Sequence, residues 1–61
     1  MISEDIAKQR CQWLITAMLG EHWVDAWWSK PNKAFDNKSP KDMWIEDYPR
    51  VYNYLMSVAS K

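Results

Sequence analysis

Residues 3–20 read SEDIAKQRCQWLITAMLG. Ser3 is a residue type that opens a helix, because its side-chain oxygen accepts from a free backbone N–H of the first turn. Glu4 and Asp5 follow where the aligned amide dipoles favour negative charge. Ala7, Cys11, Leu14 and Met18 recur at i, i+4, i+7 and i+11, and Ile6, Trp13 and Ala17 widen that stripe. Such spacing predicts a helix over about 4–19 with one face turned inward. Gly20 is the expected stop. No later segment sustains an apolar–polar alternation of period two, so helix is the default throughout.

Outward from this helix, punctuation residues divide the chain. A second helix is expected over 21–29, with Val24, Trp27 and Trp28 three and four apart. Trp27 and Trp28 are adjacent, so they point about 100° apart and one of them falls at the rim. Pro31 ends this element by pushing Lys30 out of helical geometry. Pro31 to Phe35 reads as one short helical turn with Pro first. Asp36-Asn37-Lys38 reads as a turn, since Asp and Asn tolerate left-handed backbone. In Ser39-Pro40-Lys41-Asp42, Ser39 is the N-cap, Pro40 the first helical residue, and Asp42 is placed to return the capping bond. Met43, Trp44 and Ile45 form the apolar part of that short helix. Asp47 or Tyr48 caps a last helix from about Pro49 to Ser60, with Val51, Leu55 and Val58 inside and Tyr48, Tyr54 and Ala59 beside them. The predicted fold is all-α: one compact domain over 1–61, a bundle of about four to five short helices.

The chain has 61 residues. A domain near that size buries only roughly 60% of its unfolded surface. Its core supplies about 3–5 kcal/mol of net stability, so chains this short often add a metal, disulfides or a partner. Cys11 is the single cysteine and His22 the single histidine. Neither an internal disulfide nor a site with several Cys or His ligands can be built from them. Association is the remaining common support. Five tryptophans (Trp13, Trp23, Trp27, Trp28, Trp44) stand beside Tyr48, Tyr52, Tyr54 and Phe35. Most of these rings are expected in the core, with one or two tryptophans left partly exposed. Exposed Trp is a residue type that dominates protein–protein hot spots.

Eight basic and eight acidic residues cancel. A dedicated nucleic-acid binder carries a strong basic excess, and an acidic mimic of nucleic acid carries the reverse. Charge is uneven, however: residues 30–41 hold Lys30, Lys33, Lys38 and Lys41 against Asp36 alone. That stretch reads either as a solvated loop or as a contact for an acidic patch or a phosphate. The N-terminus lacks the basic-then-apolar order of a secretory signal, and no apolar run approaches the ~20 residues of a membrane helix. A cytoplasmic location is expected.

Catalytic constellations are missing. His22 has no partner residues in a recognisable motif, Cys11 lies on an apolar stripe, and no Gly-rich phosphate cradle exists. Asp36, Asp42, Glu46 and Asp47 group loosely, but capping occupies two of them. No enzyme activity, cofactor or metal is expected.

Taken as a unit, Met18-Leu19-Gly20, then Trp27-Trp28-Ser29-Lys30-Pro31-Asn32-Lys33-Ala34-Phe35, Lys38-Ser39-Pro40, and Val51 with Leu55 resemble a known family. The chain resembles the toxin-binding domain of Xre/MbcA/ParS-type antitoxins over about residues 13–58. The resemblance implies a compact helical domain that binds and blocks a RES-type toxin, an enzyme acting on NAD. The usual member carries a separate N-terminal DNA-binding domain, whereas about ten residues precede the match here. Three features depart from the pattern. Asp36-Asn37-Lys38 replaces a Gly-rich turn, Asp47-Tyr48-Pro49 replaces a glycine before the last helix, and the family's C-terminal tail is absent after Lys61. These departures point to a free-standing module recruited to another protein, for example a small phage protein acting on a host or defence factor.

The expected function is therefore a protein-binding inhibitor that covers a partner's surface. Trp27, Trp28 and Trp44 are the candidate anchors, and Lys30, Lys33 and Lys38 the candidate polar rim. The alternatives are a nucleic-acid-associated protein using Lys30 to Lys41, or a structural subunit of a homo-oligomer.

Overall fold

A computed structural model describes residues 2–60. It holds three α-helices and two 3₁₀ turns: α1 (Glu4–Leu19), a turn at Glu21–Trp23, α2 (Val24–Ser29), a turn at Lys33–Phe35, and α3 (Pro40–Ala59). The chain is all-α as expected, but with three helices rather than four to five. The expected second helix begins as a 3₁₀ turn, the piece at 31–35 is only a 3₁₀ turn, and the last boundary is a kink rather than a break. No helix among the described residues is long and apolar enough to cross a membrane.

The local signals act where their chemistry places them. Ser3 Oγ accepts from Ile6 N–H at 3.3 Å and opens α1. Gly20 closes it at φ 95°, ψ 157°, a conformation essentially confined to glycine. Nothing lies within 4 Å of where a Cβ would stand, so only the backbone opposes a side chain there. Gly20→Ala is expected to cost about 1–3 kcal/mol through that backbone strain. Urea denaturation checks this, and an unchanged midpoint would exclude it.

Lys30 is extended at φ −85°, ψ 141°, as the following proline requires. Pro31 is not the first residue of the next turn. Asn32 caps that turn instead, its Oδ1 accepting from Ala34 N–H at 2.9 Å. Asn side chains bond their own backbone two residues on, which makes Asn32 the better cap. Asp36 and Asn37 both take positive φ, 57° and 65°. They turn the chain so that Asn32 N–H donates to the Lys38 carbonyl at 3.0 Å, an isolated bridge. Arg50 Nη2 donates to the Ala34 carbonyl at 3.0 Å and so ties this loop to α3.

Ser39 Oγ accepts from Asp42 N–H at 3.2 Å, with Pro40 first in α3. The Asp42 side chain returns no bond to Ser39 among the described residues, so half of the expected box is formed. At Asp47 the backbone leaves helical geometry (φ −161°, ψ 77°), and Pro49 lies two residues on. Pro49 has no N–H to offer the preceding turn. α3 therefore bends at the expected boundary and continues.

The core comprises Ala7, Cys11, Ile15, Trp28, Phe35, Met43, Trp44, Val51 and Leu55. On α1 the buried line runs Ala7–Cys11–Ile15, not Ala7–Cys11–Leu14–Met18. It follows the i, i+4, i+8 ridge, which is inclined to the helix axis. Leu14 is half-buried as a result, while Met18 and the widening residues Ile6, Trp13 and Ala17 are exposed. On α3, Val51 and Leu55 are inside as expected, but Val58 is exposed near the helix end. Burial pushes the Cys11 thiol from 9.0 up to about 11, which keeps it protonated and unreactive at neutral pH.

Candidate functional site

The six residues expected to bind a partner separate in space. Trp28 and Trp44 belong to the core, at 9% and 6% exposure. Their rings meet edge-on with centroids 5.7 Å apart, and Trp44 also packs on Tyr48 at 5.2 Å. Neither indole is displayed to a partner, which corrects the expectation that they are surface anchors. The reason is tertiary: the first half of α3 lies against α2, and the largest apolar side chains of the two meet there. Lys38 forms an ion pair with Glu46 on α3, and Lys33 stands exposed on its 3₁₀ turn. Trp27 and Lys30 remain together.

These two residues line a groove of about 320 Å³ with Met18, Leu19, Trp23 and Ala26. Trp27 is half-buried and meets Trp28 edge-on at 5.2 Å, so one ring of the adjacent pair lies inside and the other at the rim, as their 100° separation requires. Trp23 is 57% exposed. The Lys30 ammonium lies 5.9 Å from its ring centroid, a cation–π contact at the groove edge.

A second groove, about 450 Å³, is lined by Arg10, Trp13, Leu14, Ala17 and Met56. Trp13 is the most exposed indole, at 72%. Arg10 Nη1 donates to the Tyr52 hydroxyl at 3.2 Å, which braces α1 against α3 at this edge. The two grooves adjoin along α1, because Leu14 in one and Met18 in the other are i, i+4 neighbours. Trp13 in one and Leu19 in the other are six residues apart, about 120° around the helix, so the grooves flank α1 on two sides and meet only at Leu14 and Met18.

Sequence reasoning placed Trp13 and Met18 on the inner stripe and did not choose Trp23 as an anchor. A signal for Trp13 was available. It lies two residues from both Cys11 and Ile15, which is about 200° around the helix, so burying those two turns Trp13 outward. Trp23 carries no comparable signal, since its 3₁₀ turn breaks the helical period.

Both grooves are chemically plain. No group of three or more His, Cys, Asp or Glu side chains that could hold a metal occurs among the described residues. The surface offers ring faces, aliphatic carbon and two peripheral cations, Arg10 and Lys30, which suits contact with another apolar surface rather than bond chemistry. No family model, curated protein or solved structure matches the chain.

Proposed function

We propose that this protein is a binding module of the antitoxin toxin-binding kind, which inhibits a protein partner by covering its surface. Its target is a RES-type toxin or another bacterial protein. The contact surface is the outer face of α1 with Trp23 and Trp27. The observation that carries this reading is the exposure of two indoles, Trp13 and Trp23, each beside an apolar groove. Exposed indoles grouped with other apolar side chains are a feature of interaction sites. Trp supplies more binding energy per side chain than most residue types. The short core gives a further reason, since a partner raises the stability of a marginal domain by mass action.

The test is capture of the partner from bacterial lysate on the immobilised full chain, followed by calorimetry with the purified partner. Trp13→Ala and Trp23→Ala are each expected to weaken binding by at least about 2 kcal/mol, roughly thirtyfold. Circular dichroism and the melting temperature should stay close to those of the unmodified chain. Undiminished affinity in both variants would overturn this assignment of the surface. A partner that consumes NAD, and is silenced on binding, would place the target among RES-type toxins.

A further inference from the structure

We draw no further inference here: the strongest candidate, the apolar groove between α1 and the C-terminal half of α3 lined by Arg10, Trp13, Leu14, Ala17 and Met56, belongs to the surface already described, and nothing in the structure shows what covers it.

Discussion

Phe35→Ala is expected to leave most molecules unfolded at 25 °C. Phe35 comes from a 3₁₀ turn of three residues that packs on α3, yet its side chain is fully buried in the core. Its ring meets Tyr54 edge-on at 5.2 Å. Truncating a buried Phe to Ala costs about 3–5 kcal/mol, the lost transfer energy plus the cavity left behind. A core of this size supplies a net stability of about the same amount. The surrounding turn cannot collapse into the void, because Asn32, Asp36 and Asn37 fix its path and Arg50 holds it to α3. Far-ultraviolet circular dichroism with urea titration reads the result directly. A cooperative transition near that of the unmodified chain would show that Phe35 is not the plug of this core.

Trp44→Ala is the second large effect, again about 3–5 kcal/mol. Trp44 links Trp28 to Tyr48 in a run of ring contacts, and its removal takes the neighbour from both. Ile45→Ala is the internal control. Ile45 is 79% exposed on the same helix, and surface substitutions of this kind stay within about 0.5 kcal/mol. The two variants differ by one position in sequence and should differ by most of the domain's stability in the same urea experiment. Equal effects would mean that α3 does not present the face described here.

The features legible in the sequence were those enforced locally. Ser3, Gly20, Lys30 before Pro31, Asp36-Asn37, Ser39-Pro40 and the boundary at Asp47 depend on the chemistry of a few adjacent residues, and each acts at its expected place, the last as a bend and not a break. What one sequence does not carry is which side of each helix its neighbours cover. Ile15 is buried while Met18 is exposed, although the helical period alone allows either. The same holds for the tryptophans. Trp27 and Lys30 line one groove, whereas Trp28 and Trp44 meet each other inside. The ion pair of Lys38 with Glu46 and the reach of Arg50 to Ala34 join residues eight and sixteen apart and leave no local signature.

The bend at Asp47 also resolves a problem of dimension. A straight helix of twenty residues runs about 30 Å at 1.5 Å per residue, whereas the molecule's longest extent is 27 Å between Cα atoms. Unbent, α3 would be longer than any principal dimension of the body, with its two apolar clusters strung along one straight line. Folding the rod at Asp47 lets a single segment clamp the tryptophan pair with Met43 and Trp44 and then seal Phe35 with Val51 and Leu55. One bent helix thereby supplies two walls of the core.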